Sequence, residues 1–174
     1  MQAAPALKFM THKRVRFQHC DPAGIVFYPQ FFYLLHEVQE DFLAHIGFPE
    51  HELMAGGRGF PIVTMKTEFL GMCRHGDQLT MTLELTRIGG ASVDMHYEIH
   101  GSPEAGGEAG PLRLRADGVV VYAEVPHGKA VALPDKLRQA LLPYLQSNPE
   151  EGHDEQVGLR LRPLKAPQGR ACTD

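Results

Sequence analysis

Tryptophan is absent, and cysteine occurs only three times, as Cys20, Cys73 and Cys172. An odd count with no C-x-x-C spacing excludes a disulfide framework and a zinc–cysteine site, so a reducing cytoplasm is the expected location. Positive charge is not in excess either: 17 Lys+Arg against 21 Asp+Glu leave a net charge of −4. Nucleic acids and anionic membrane surfaces select basic footprints, and neither is an expected partner. No apolar run approaches the roughly 18 residues that a membrane-spanning helix needs. The opening MQAAPALKFM also lacks the charged-then-apolar order of an export signal. What is present is an ordinary globular balance, 43% hydrophobic and 22% charged over 174 residues, enough to bury one core without a covalent staple.

The apolar spacing changes period along the chain. Residues 12–18 (HKRVRFQ) alternate, which predicts a short half-buried strand with Val15 and Phe17 inward. Asp21-Pro22 and Gly24 then mark a loop, and Pro29 suits the first turn of a helix. Phe31, Leu34, Leu35, Val38, Phe42 and Ile46 follow helical spacing, and Phe32, Tyr33 and Leu43 widen the apolar face. A helix of about 18 residues, roughly 27 Å long, is expected to end at Gly47-Phe48-Pro49. It is too apolar to lie on a surface. Residues 51–55 suggest a short helical turn, and strands are expected over 60–71, 78–88, 93–99 and 112–125, the last bulged at Gly118. Residues 101–111 read as a hairpin loop and 134–146 as a second helix. The order implies an α+β fold: an antiparallel sheet of about five strands wrapped around one long helix. One domain over 1–146 is expected, followed by a C-terminal tail over 147–174 that reads as flexible.

Chemistry concentrates in HCDPAGIVFYP, residues 19–29. Asp21 is a carboxylate in a Pro/Gly loop just ahead of a helix whose free N–H groups carry partial positive charge. That pairing suits attack on a carbonyl, with the acid as nucleophile or base and the N–H groups taking up the developing charge. A plain turn or helix cap fits the same residues equally well. Ten histidines do not make a metal site. His96 and His100 would stand about 13 Å apart on one strand face, and His36 with Glu40 offers only two ligands, so no metal is expected. Cys20 should turn away from Asp21 by alternation.

The segment RFQHCDPAGIVFYPQFF resembles the 4-hydroxybenzoyl-CoA thioesterase family of hot-dog fold enzymes. The family pattern, an aspartate followed by Pro/Ala-x-Gly-Ile/Val-Val-x-Tyr and a long helix, stands here as Asp21-Pro22-Ala23-Gly24-Ile25-Val26-Phe27-Tyr28. The likeness runs from about Arg14 to Val125 and includes GGRGFPIVTMKTEF over 56–69. It implies that Asp21 is the catalytic carboxylate and that the Tyr28 backbone N–H polarises a thioester carbonyl. It also implies an acyl pocket lined by Phe27 and by Gly59, Phe60, Pro61, Ile62 and Val63, the latter stretch reaching across a dimer interface. His36 on the helix would meet the far end of the acyl group, or would serve as a structural partner of Glu40. Arg58 and Arg74 are candidates for a coenzyme phosphate. Where many relatives carry an acid two positions before the aspartate, this chain has His19.

The function these residues imply is an acyl-CoA thioesterase that releases a free acid and coenzyme A. No separate cofactor is required, since coenzyme A belongs to the substrate. Phe27, Phe31, Phe60 and His36 suit an aromatic acyl group and equally a short or medium aliphatic one. The alternative is a non-catalytic module that binds acyl-CoA or an acyl carrier protein. A lone five-stranded sheet would leave part of the helix bare, so a homodimer or homotetramer is expected, with the 91–99 segment as the guessed seam.

Overall fold

Alternation of apolar and polar residues builds the two longest strands. In the computed structural model, which describes residues 6–102, 110–125 and 127–146, β4 (Gln78–Ile88) pairs antiparallel with β5 (Ser92–His100). Leu79, Met81, Leu83 and Leu85 share a buried face with Val93, Met95, Tyr97 and Ile99. Antiparallel neighbours extend this hairpin: β1 (Phe9–Arg14) beside β4, β6 (Leu112–Val121) beside β5, and β3 (Ile62–Phe69) beside β6. The sheet order is β1-β4-β5-β6-β3, the five antiparallel strands the sequence implied. A small second sheet joins β2 (Arg58–Gly59), β7 (Ala123–Glu124) and β8 (Lys129–Ala130).

Helix α1 (Pro29–His45) buries Phe31, Leu34, Leu35, Val38, Phe42 and Leu43 in the same core as the sheet. Pro29 stands in its first turn, and Gly47 follows it at φ +83°, the left-handed exit that glycine accepts at little cost. Phe42 lies between Phe9 of β1 and Tyr144, with ring centroids 5.6 Å and 5.0 Å away. Two short helices follow: α2 (Glu50–Ala55), which packs on α1, and α3 (Asp135–Leu141), which packs on β4 and continues as a 3-10 turn over Leu142–Tyr144.

Several expectations change at this level. The strand expected over 12–18 is displaced to Phe9–Arg14, because its partner β4 begins at Gln78, opposite Arg14. Past Val15 the chain enters a 3-10 turn over Phe17–His19, so Phe17 is 84% exposed rather than inward. No bulge falls at Gly118; the bulges fall at Val63 in β3, Thr86 in β4 and Arg113 in β6. Val63 is the extra residue between Ile62, opposite Val120, and Thr64, opposite Val119. Gly118 stays in register, and a Cβ there would crowd the Met65 Cε at 3.0 Å. The second helix is shorter than 134–146, since Pro143 lacks the N–H that would continue it. The segment 91–99 cannot be a seam, because β5 lies inside the sheet and the edges are β1 and β3. The tail 147–174 and residues 103–109 of the hairpin loop fall outside the described residues.

With no exposure and two aromatic neighbours, Phe42 is the residue whose truncation tests this core most directly. Phe42→Ala should lower unfolding stability by about 3–5 kcal/mol in urea titration. A loss below about 1 kcal/mol would show that helix and sheet do not share a close-packed core.

Candidate active site

Pro22, Ala23 and Gly24 close a tight hairpin at the start of α1. Asp21 N–H donates to the Ile25 carbonyl at 3.0 Å, Cys20 bridges Val26, and Phe27 N–H donates to the His19 carbonyl at 2.9 Å. The turn depends on Gly24 at φ +76°. The second arm docks on the segment after β3: Ile25 bridges Arg74, and Val26 N–H donates to the Cys73 carbonyl at 2.9 Å. Asp21 and the first residues of α1 are therefore fixed in one small unit.

The carboxylate is held by one oxygen. Asp21 Oδ1 accepts the Ala23 N–H at 2.8 Å, while Oδ2 meets no donor among the described residues. The donors at the helix start are equally accounted for. Pro29 has none, and Gln30 and Phe31 N–H close short bonds to the Phe27 and Tyr28 carbonyls at 2.8 and 3.2 Å. The Tyr28 N–H meets no backbone acceptor among the described residues and sits at the positive end of a 17-residue helix. One free carboxylate oxygen and one free amide on a single hairpin form a pair able to attack and to stabilise an acyl carbon.

Aromatic surface surrounds this pair. Phe27 and Tyr28 are 47% and 60% exposed, and the Tyr28 and Phe31 rings lie 6.4 and 5.8 Å from Phe69 at the end of β3. The other implied site residues stand elsewhere. Gly59 and Phe60 are buried, Phe60 against Tyr122 at 5.2 Å, and Pro61 and Val63 lie at the opposite end of β3 from Phe69. Eight residues of strand span about 26 Å, so one chain does not bring Pro61 and Val63 to Asp21. Arg58 is engaged with Glu124 at 3.2 Å. His19 is buried, and its Nδ1 accepts the Arg16 N–H at 3.1 Å, so it braces the hairpin base rather than facing Asp21 as a charge. Burial pushes the Cys73 thiol up to about 11, which keeps it protonated and unreactive. Cys20 Sγ is directed at the Arg16 carbonyl, 3.7 Å away.

His36 has a neighbour that spacing did not disclose. Its Nε2 lies 3.9 Å from Glu40 and 3.6 Å from Glu50, the first residue of α2, and the three groups fall within 4.8 Å of one another. A third ligand-bearing group thus joins the two read from sequence, with the imidazole set between two carboxylates. Gln39, one turn along α1 from His36, was also missed. It is 1% exposed, and neither amide atom has a hydrogen-bond partner among the described residues.

The chain belongs to the thioesterase-like superfamily, whose family model matches residues 15–141. Hot-dog thioesterases share its fold. It is 27% identical over 145 residues to a 1,4-dihydroxy-2-naphthoyl-CoA hydrolase of Thermosynechococcus vestitus, covering 83% of this chain and 92% of that protein. A solved 1,4-dihydroxy-2-naphthoyl-CoA thioesterase from Synechocystis superposes with a TM-score of 0.69 at 25% identity, covering 78% of this chain and 96% of the other. The 4-hydroxybenzoyl-CoA thioesterase of Pseudomonas sp. strain CBS-3 gives a TM-score of 0.68 at 25% identity, with 79% and 99% covered.

Burial raises the Glu50 carboxyl above the ordinary 4.5; His36 pulls it down, and the Glu40 charge adds to the rise. An acid with a raised folded-state value contributes stability below its unfolded value and loses it as pH climbs through the raised one. Glu50→Gln cannot ionise, so its Tm relative to the parent chain should increase between about pH 4 and pH 7. A Tm difference independent of pH over that window would contradict the assignment.

Proposed function

We propose that this chain hydrolyses an acyl-CoA thioester to a carboxylic acid and free coenzyme A, with Asp21 as its catalytic carboxylate. The observation that carries this reading is the hairpin over 19–28, which pairs an unengaged Asp21 Oδ2 with an unengaged Tyr28 N–H. A thioester oxygen accepting the Tyr28 N–H, at the positive end of α1, would leave its carbon open to attack. Two routes use that geometry. In one, Asp21 bonds to the acyl carbon, the C–S bond breaks, the thiolate departs, and water cleaves the resulting anhydride. In the other, Asp21 takes a proton from the water that attacks directly. Each consumes one water. Single turnover in isotopically labelled water separates them, because only the first leaves label in Asp21.

The relatives named above act on hydroxylated aromatic acyl groups, and Phe27, Tyr28, Phe31 and Phe69 gather aromatic surface next to Asp21. On this reading the acyl group is aromatic, and His36 meets a polar substituent on its ring. The pocket needs a second copy. Strand β3 is an edge carrying exposed Ile62 and Phe69, whereas the other edge, β1, carries Lys13 and Arg14. Antiparallel pairing of two β3 edges would set the start of one strand beside the end of the other. Pro61 and Val63 of the partner subunit would then approach the Asp21 hairpin, which they cannot reach within their own chain.

Asp21→Asn should lower kcat by about 10³-fold with a normal circular dichroism spectrum. Near-parental thiol release by that variant, across benzoyl-, hydroxybenzoyl-, phenylacetyl- and linear acyl-CoAs, would remove Asp21 from the chemistry. The shared site has its own test. Asp21→Asn and Val63→Asp homodimers should each be inactive, and refolding them together should restore activity through mixed dimers with one intact site. No recovery, or a fully active 19.3 kDa monomer in sedimentation, would refute a site built from two chains.

A further inference from the structure

A coenzyme A thioester presents several phosphate charges, yet this chain is net acidic, so the cations that meet them must be gathered locally. Six basic side chains among the described residues are already engaged. Lys8 reaches Glu84, Lys13 reaches Glu37 and Asp41, Arg58 reaches Glu124, Arg87 reaches Asp94, Arg115 reaches Glu68, and Arg138 donates to the Gly89 carbonyl. Of the remaining described cations, which include Arg14, Lys66, Arg113, Lys129 and Lys136, Arg16 and Arg74 are the two that stand beside the Asp21 hairpin. Both are exposed and donate through their backbone N–H, to His19 Nδ1 and to Asp77 Oδ2. Their guanidinium groups meet no acceptor among the described residues.

The fold brings these two arginines to one rim. Val15 N–H donates to the Asp77 carbonyl at 2.9 Å and Gly76 N–H to the Val15 carbonyl at 3.0 Å, so the segment holding Arg16 runs beside the turn holding Arg74 and His75. Between them stands Phe17, 84% exposed, with the His75 ring edge-on at 6.2 Å. Arg74 bridges Ile25, whose carbonyl accepts the Asp21 N–H, so the rim begins one hydrogen-bonded step from the proposed catalytic carboxylate. The acids nearby are Asp21 and Asp77, and Asp77 Oδ2 is already occupied by the Arg74 N–H.

We propose that Arg16, Phe17, Arg74 and His75 seat the nucleotide end of the coenzyme A thioester, the two guanidinium groups on its phosphates and the Phe17 ring stacked on adenine. Guanidinium forks match phosphate geometry, and an exposed aromatic face stacks on any base. The inference rests on acyl-CoA being the substrate, and binding tests it without turnover. By titration calorimetry with the full chain, the double variant Arg16→Glu/Arg74→Glu should bind adenosine 3′,5′-bisphosphate about tenfold or more weakly than the parent chain. Lys136→Glu, an equal charge reversal on α3, should stay within about twofold. The double variant should also lose about tenfold of its preference for acyl-CoA over the same acyl group on N-acetylcysteamine, which carries no phosphate. Equal affinity of parent and double variant for the bisphosphate, or no binding by either, overturns the seat. If the parent hydrolyses no thioester but the bisphosphate affinity falls as stated, the seat stands and the hydrolytic reading fails.

Discussion

The burial of α1 is the constraint on which the rest of the structure depends. Val38, Phe42 and Leu43 have no exposed surface, and Phe31, Leu34 and Leu35 have almost none, so the helix exists only under cover of the sheet. Phe31 stands three residues after Tyr28 and is pinned in that core. The first turn of the helix therefore cannot shift without opening apolar surface. The Tyr28 amide inherits its position from this packing, and the hydrogen bonds of the hairpin tie the Asp21 carboxylate to it. This is preorganisation supplied by a core, with the site at its edge.

The sheet that covers α1 is two-faced, and this directs where further contacts form. Its outer surface carries charges paired across strands: Lys8 with Glu84, Glu98 with His100, and His96 with Asp117 at 2.6 Å. Such a face is built to meet water. Association through the flat of the sheet would strip these groups of solvent at a cost their pairing does not recover. The edges are left. At β1, Lys13 is tied to Glu37 and Asp41 of α1, whereas β3 presents Ile62 and Phe69 and carries the Val63 bulge. Strand β3 is also the edge whose far end meets the Asp21 hairpin, through Phe69 against Tyr28.

Much of this arrangement was legible in the sequence because it follows from periodicity. The two-residue alternation of β4 and β5 and the helical spacing of α1 each encode a single buried face, and Pro29 and Gly47 mark the helix ends by their own backbone limits. The hairpin that carries Asp21 was legible through Pro22 and Gly24, whose backbone limits mark the turn. What could not be read was strand order, since hydrogen-bonding partners are not a local property: β5 lies inside the sheet and β3 at its edge. Phe17 was misread for the same reason, because alternation continues past Arg14 while the partner strand does not. Glu50 and Gln39 were missed because a lone polar residue signals nothing until α2 folds back beside α1.

Those last two residues show that the flanks of α1 do different work. On one side Phe42 and Leu34 are sealed by aromatic and aliphatic neighbours. On the other, His36, Gln39 and Glu40 follow at i, i+3 and i+4, a spacing that puts all three on one face. Among the described residues Gln39, 1% exposed, has no hydrogen-bond partner for either amide atom, and Glu50 Oε2 is likewise buried without a hydrogen bond. Each such group costs about 1–3 kcal/mol relative to a satisfied one. A leucine at position 39 would avoid that cost and suit the core. Under the proposed reading, a hydroxyl on the acyl group would bring this polar flank the donor and acceptor that its amide and carboxylate lack.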